Sequence, residues 1–192
     1  MVADTALSAG WDDVAFFDER YPAMSLTGMW PVVGSVADLL QRVDEFAGVV
    51  VGIGNGCDRL RWQEKLAAAG AVFATVVHER AWVSPRASLG EGSVVVAGAV
   101  INIGAAIGAA SIINTGATVD HDCILGRAVH VAPGAHLSGD VQVGDLSWIG
   151  VGAAVRQGIV IGAGVIVGAG AVVVTNLPDG VTAVGCPAKP RT

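Results

Sequence analysis

The chain has 192 residues, 53% of them apolar but only 5% aromatic, with 27 glycines and a net charge of −6 from 11 basic and 17 acidic side chains. That length fits one domain or two small ones, and an acidic chain without a basic run argues against a nucleic-acid groove or a polybasic membrane patch. Cys57, Cys123 and Cys186 are odd in number and widely spaced, so they imply neither a disulfide framework nor a cysteine-rich zinc site.

The opening MVADTALSAG lacks the charged and apolar regions of a signal peptide, and the protein reads as cytoplasmic. It resembles the back half of a helix closed by Gly10. A nucleotide-binding unit normally enters such a helix from a strand and a glycine-rich loop. The natural start is therefore expected upstream of Met1, and in-frame upstream sequence encoding that strand and loop would bear this out. Next, VAFFD (14–18), GVVVGIG (48–54) and AVFATVV (71–77) read as buried strands. SVADLLQRVDEF (35–46), with Ser35 as N-cap, and CDRLRWQEKLAAAG (57–70), closing at Gly70, read as helices. Strands alternating with helices imply a small parallel, Rossmann-like α/β unit over residues 1–80. Ligands sit at the carboxyl ends of such strands, where Asp18, Glu19, Arg20 and Gly54 fall.

From Val83 the texture changes. Stepping by six gives Val83, Leu89, Val95, Ile101, Ile107, Ile113, Val119, Leu125, Val131, Leu137, Val143, Ile149, Val155, Ile161, Val167 and Val173, all branched aliphatics. Four residues beyond each stands a residue that is nearly always small or β-branched, such as Ala99, Ser111, Cys123 or Ser147. Period six is neither helical nor simple strand alternation. It fits a short strand plus a corner, three of which close a triangular turn, with both marked positions facing inward. Coils stack about 4.8 Å apart, as paired strands do. Residues 92–119 and 157–178 carry no charge, but fixed phases of Gly, Asn102, Ser111 and Asn114 argue against membrane spans. Residues 81–192 are thus expected to form a parallel β-helix of about five coils with a C-terminal tail.

TVDHDCILGRAVHVAPGAH (118–136) holds three of the four histidines. By phase, His121 and Asp122 occupy a corner and point outward together, while His130 and His136 face outward on flat sides. One coil above His121 is Gly139, whose bare peptide N–H can serve an oxyanion; one coil above His130 is Trp148. A neutral imidazole beside a carboxylate can take a proton from an amine or hydroxyl, although an exposed His beside an exposed Asp is also common on any surface. His136 and His78 read as structural. The corner carrying Val151 and Ala169 lies on a different edge, so a ligand spanning both corners implies neighbouring subunits, most simply three.

The run NTGATVDHDCILGRAVHVAPGAHLSGDVQVGD (114–145), the closing VGCPAK (184–189) and the N-terminal FFDE and GIGN resemble the hexapeptide-repeat, left-handed β-helix sugar acetyltransferases of bacteria. These are the N-acetyltransferases of bacillosamine and perosamine synthesis and the related sialic-acid O-acetyltransferases. The resemblance implies acetyl-CoA as co-substrate, no metal, and a nucleotide-linked 4-amino-deoxy sugar as acceptor. His121 would be the general base, with Asp122 tuning it where relatives often carry Glu. His130 and the Gly139 backbone would contact acetyl-CoA, and Val151 and Ala169 would bind its pantetheine through main-chain groups. Asn114 would help place the sugar, while Asp18, Glu19, Arg20 and Gly54 would hold the nucleotide. A homotrimer is implied, with no nucleic-acid partner and no membrane insertion.

Other readings stay open. O-acetylation of sialic acid or another sugar hydroxyl is the second. A γ-class carbonic anhydrase shares the β-helix, but its zinc ligands should include a pair stacked by whole coils, and histidine separations of 9, 6 and 15 are not multiples of 18. A purely structural β-helix should carry a repeated outward ladder, and none is present.

Overall fold

The computed structural model describes residues 1–191; Thr192, the last residue of the second expected unit, lies outside the described residues. Helix α1 (Val2–Ser8) ends at Ala9, and Gly10 follows with φ of +89°, the left-handed conformation that closes many helices. The chain then extends into the strand Phe16–Phe17. Its parallel partner is Trp30–Gly34, which the sequence pattern did not flag because Pro31 and Gly34 interrupt the apolar run. Leu26–Thr27 folds back antiparallel on Trp30 and Pro31. The expected all-parallel sheet is therefore a mixed one of three strands.

Helix α2 (Val36–Leu40) is capped by Ser35, whose Oγ accepts from the Asp38 N–H while Asp38 Oδ2 accepts from the Ser35 N–H at 2.7 Å. The helix expected over 35–46 stops early and resumes as a 3-10 turn, Val43–Glu45. Arg42 lies over the rings of Phe17 and Phe46 and holds Glu45 at 2.8 Å. That capture ties the turn to the sheet rather than to a continuing helix. Residues 48–54 and 71–77, expected as strands, meet only at the parallel bridge Val49–Phe73. Leu39, Val43, Val49, Val51 and Leu66 form the small core of this unit.

The end of that last segment belongs elsewhere. Val76–Val77 pairs with Val94–Val95, so coil stacking starts a few residues before the expected 80/81 boundary. From there to Val173, two-residue strands stack parallel and in register every 18 residues on three faces. The first face runs through Ile112–Ile113, His130–Val131 and Trp148–Ile149; the second through Thr118–Val119 and His136–Leu137; the third through Ile124–Leu125 and Gln142–Val143. This is the left-handed β-helix. From Val95 to Val173 every inward aliphatic of the six-residue series is at most 4% exposed. The second inward series is equally closed, with Ala99, Ser111, Cys123, Ala135 and Ala153 at 0%. Each buried Val, Leu or Ile contributes about 1.5–3 kcal/mol relative to exposure.

Helix α3 (Gly56–Ala68), capped by Asn55 Oδ1 accepting from the Asp58 N–H, lies along the prism edge between the third and first faces. Its Gln63 donates to Glu91 O, its Arg59 to Ala110 O and Ala128 O, and Gly56 approaches Ala128 and Leu146. The helix thus climbs successive coils, and the small unit rides on the large one.

Candidate active site

The catalytic corner is built by the coil. Asp122 and Asp140, one coil apart, both take φ of +59°, continuing a column begun by Gly104 at +74°. Aspartate tolerates that left-handed conformation better than most side chains, so the column gains carboxylates without losing the turn. Asp120 Oδ1 accepts from the His121 N–H at 2.8 Å and from Asn102 Nδ2, one coil below, at 2.9 Å. Those bonds hold the Asp120 carboxyl below its ordinary pKa.

On this anchored corner, the side chains of His121 and Asp122 are 55% and 68% exposed. His121 Nδ1 lies 2.9 Å from Asp122 Oδ2. With Nδ1–H donating to the carboxylate, Nε2 is left with its lone pair free. The Asp122 hydrogen bond raises the His121 pKa, and the charges of Asp120, Asp122 and Asp140 add to it. The ring extends over Gly139: a Cβ there would sit 2.5 Å from Nε2 and Cε1. A side chain there would push the ring off this position. The Gly139 N–H has no backbone acceptor within the chain among the described residues.

Two expected contacts lie elsewhere. His130 was expected on an open flat side; its ring does face away from the prism core but is 6% exposed, because α3 and its preceding loop cover this face. Trp148 packs on it with ring centres 4.0 Å apart. Asn114 Oδ1 accepts from the Thr115 N–H at 2.8 Å, which turns its Nδ2 toward His130 Nε2 at 3.1 Å. Nε2 is therefore an acceptor and the proton sits on Nδ1, which is buried and has no well-formed hydrogen bond among the described residues, only the more distant attraction of the Gly54 carbonyl. Burial, then the positive charge of Arg59, lowers the His130 pKa to about 4, against a raising contribution from the Gly54 carbonyl. His130 is neutral at physiological pH. His136 is exposed, with Nδ1 3.0 Å from Thr118 Oγ1.

Val151 and Ala169 are both exposed at the corner between the first and second faces. Their N–H groups have no backbone acceptor within the chain among the described residues, so that corner offers main-chain donors whatever its side chains. It stands across the second face from the His121 corner.

In the N-terminal unit, Asp18 and Ile53, next to Gly54, line one cavity of about 340 Å³ between the 14–18 and 48–53 segments. Asp18 accepts three bonds from Arg20, through its N–H, Nε and Nη2, at 2.9, 2.9 and 3.0 Å. Those bonds lower the Asp18 pKa to about 2. Glu19 is exposed beside them.

Sequence reasoning missed Asp120 with Asn102, and it missed Arg59. The first pair could have been found from the 18-residue register, which stacks an amide under a carboxylate. Arg59 gave no such signal, since its partners are four carbonyls. Among the described residues no three metal-ligating side chains converge, and no helix is long and apolar enough to cross a membrane.

Comparison with known proteins bears on this arrangement. The model of the PglD N-terminal domain matches residues 1–66. The acetyltransferase domain of PglB from Neisseria gonorrhoeae superposes with a TM-score of 0.94 at 42% identity, over 99% of this chain and 93% of that one. Another structure of that domain contains acetyl coenzyme A. PerB from Caulobacter crescentus, solved with CoA and GDP-perosamine, gives 0.94 at 41% identity over 100% and 91% of the two chains. WeeI from Acinetobacter baumannii gives 0.85 at 31% identity over 92% and 85%. A search of curated proteins found no match.

Proposed function

The chain belongs to the bacterial sugar N-acetyltransferases of the hexapeptide-repeat type, and from that premise we propose that His121 is the base with which it acetylates a nucleotide-linked 4-amino-deoxy sugar. The enzyme is an acetyl-CoA-dependent acyltransferase acting on a nucleotide amino sugar. The sugar nitrogen attacks the thioester carbonyl carbon, and a C–N bond forms as His121 Nε2 takes the amine proton. Charge collects on the carbonyl oxygen, which the Gly139 N–H is free to bind. The C–S bond then breaks, and the proton on His121 passes to the departing thiolate. A positioned base contributes about 10² to 10⁴ in rate. One observation carries the reading: the His121 ring, held by Asp122 through Nδ1, lies directly over a glycine whose N–H has no acceptor among the described residues.

Val151 and Ala169 would take the pantetheine through their free N–H groups. His130 is assigned a structural part in the acetyl-CoA site, beneath Trp148. Asp18, Arg20 and Gly54 would hold the nucleotide, with Glu19 at its rim, and Asn114 would act through His130. Because the His121 and Val151 corners stand on different edges, a ligand using both needs a neighbouring copy, which supports a homotrimer. A cytoplasmic location fits acetyl-CoA as co-substrate. The expected metal-free chemistry asks nothing further of the chain.

The test is CoA release with a panel of nucleotide-linked 4-amino sugars and of sugars with only hydroxyl acceptors. Wild type should use an amino sugar, and His121→Ala should lose about 10² to 10⁴ in kcat with its melting temperature unchanged. Equal rates for the two proteins would remove His121 from the mechanism. Turnover confined to hydroxyl acceptors would overturn N-acetylation.

A further inference from the structure

We propose that Arg59 is a positioning residue for the nucleotide-sugar step, fastening the Ile53–Gly54 loop to the edge of the catalytic prism. This rests on the reading of that loop as part of the nucleotide site. The guanidinium is 1% exposed, and no carboxylate lies within salt-bridge distance of it among the described residues. All its observed bonds run to carbonyl oxygens. Nη1 donates to Ile53 O at 2.7 Å and Gly54 O at 2.8 Å, Nε to Ala110 O at 2.6 Å, and Nη2 to Ala128 O at 2.9 Å. A buried cation without a counter-ion is an expensive way to join two surfaces. What a planar fork with five donors supplies, and an apolar side chain does not, is a fixed geometry between two loop carbonyls and two coils.

The prism presents matching acceptors. Ala110 and Ala128 sit on consecutive coils with φ of +58° and +54°, and their carbonyls accept no backbone N–H in the coil. Gly56, one turn before Arg59, lets the helix come down on this edge: a Cβ there would be 2.9 Å from Ala128 O. Along the coil, Ala128 is seven residues from His121. Between them runs Ile124–Leu125, paired on both sides with Ala106–Ile107 and Gln142–Val143. A rigid strand thus carries the Arg59 anchor to the catalytic corner.

The same bonds orient the loop. In a trans peptide the C=O and N–H point in opposite directions. With the Ile53 and Gly54 carbonyls turned onto Arg59, the N–H groups of Gly54 and Asn55 point away from it, and neither has a backbone acceptor among the described residues. Those are donors suited to phosphate or base oxygens.

The experiment is steady-state kinetics with both substrates varied, on wild type, Arg59→Met and Gly56→Ala, together with hydrogen–deuterium exchange. Arg59→Met should raise KM for the nucleotide-linked amino sugar at least about tenfold while KM for acetyl-CoA and kcat stay within about threefold. Gly56→Ala should do the same to a smaller degree. Amides of residues 52–56 should exchange faster in both variants, and those of 118–140 should not. Unchanged sugar KM, or equal damage to both substrates with loss of coil protection, would overturn the proposal. Should Arg59→Met fail to fold, Arg59→Lys decides on the same readouts, because one ammonium cannot span four carbonyls. A wild type that turns over no nucleotide sugar would sink the functional reading; an active wild type with indifferent variants would sink only the role of Arg59.

Discussion

The prism and the residues before it bury apolar surface in opposite ways. From Val95 onward the prism repeats one solution, with inward side chains at 0–4% exposure coil after coil. The buried cluster of the N-terminal unit has five residues, each 3–8% exposed, next to a cavity of about 340 Å³. In the prism, position in the sequence dictates position in space, so chemistry at a corner follows from register alone. In the N-terminal unit, each piece is held by a particular tertiary capture: Arg42 on two phenyl rings, Asp18 on Arg20, Arg59 on four carbonyls. A repeat tolerates functional side chains at its corners because they touch nothing in its core. A small irregular unit must build its ligand-facing loops from the same bonds that hold it together.

The largest separation of the two should come from core truncation. Ile113→Ala empties a position that is 0% exposed between Val95 and Val131, fixed in register on either side. Leu66→Ala empties one that is 3% exposed in a small cluster whose other members Leu39 and Val49 line open volume. Such substitutions cost about 2–5 kcal/mol, depending on how far the site collapses. Ile113→Ala should fall near the top of that range and Leu66→Ala near the bottom, read from urea midpoints at matched protein concentration. Equal losses would mean that the N-terminal unit packs as rigidly as the coils.

What could be read in advance follows the same division. The period of six set the inward positions of Val119, Leu137 and Val155, the outward turn of His121 and the stacking of Gly139 above it, all of which the coordinates repeat. The N-terminal unit was legible where a local signal acts on the chain beside it, as in the Ser35 cap, the left-handed Gly10, the strand at Phe16–Phe17 and the helix Gly56–Ala68. The pairing of Phe16–Phe17 with Trp30–Gly34 joins segments with no common period, and the break at Gln41–Arg42 depends on a cation meeting two rings. His130 shows the limit within the repeat itself. Its phase gave the correct face, but burial came from α3, whose docking rests on Gly56 and Arg59 rather than on any pattern.

The joint between the two regions should be sensitive to acid through that same histidine. Folding lowers the His130 pKa from the ordinary 6.5 to about 4. The unfolded chain therefore binds the proton more readily, and the stability this represents is present above pH 6.5 and lost as pH falls through about 4. Full loss is worth no more than about 3 kcal/mol. The urea midpoint of wild type should fall between pH 7 and pH 4.5, and His130→Gln should be flatter over that interval. An identical acid slope in the variant would assign the effect to other groups.

The smallest expected effect is the most informative about the corner. In wild type the raised His121 pKa means that the neutral, base-competent ring accumulates at higher pH than in an ordinary histidine, so kcat/KM should rise with pH through an inflection higher than 6.5. Asp122→Asn removes the largest cause of that rise while leaving the charges of Asp120 and Asp140 in place. The inflection should move to lower pH. The high-pH plateau should fall as well, because a weaker base accepts the amine proton less readily and the Nδ1 tautomer is no longer fixed by a carboxylate. That fall should be smaller than the about 10² to 10⁴ expected from losing the base itself. Urea midpoints should not change, since both side chains are more than half exposed and lie outside the stack. An inflection that stays where it was, with only the plateau reduced, would mean that Asp122 orients the ring without setting its basicity, and that the raised value belongs to the stacked aspartates of the corner.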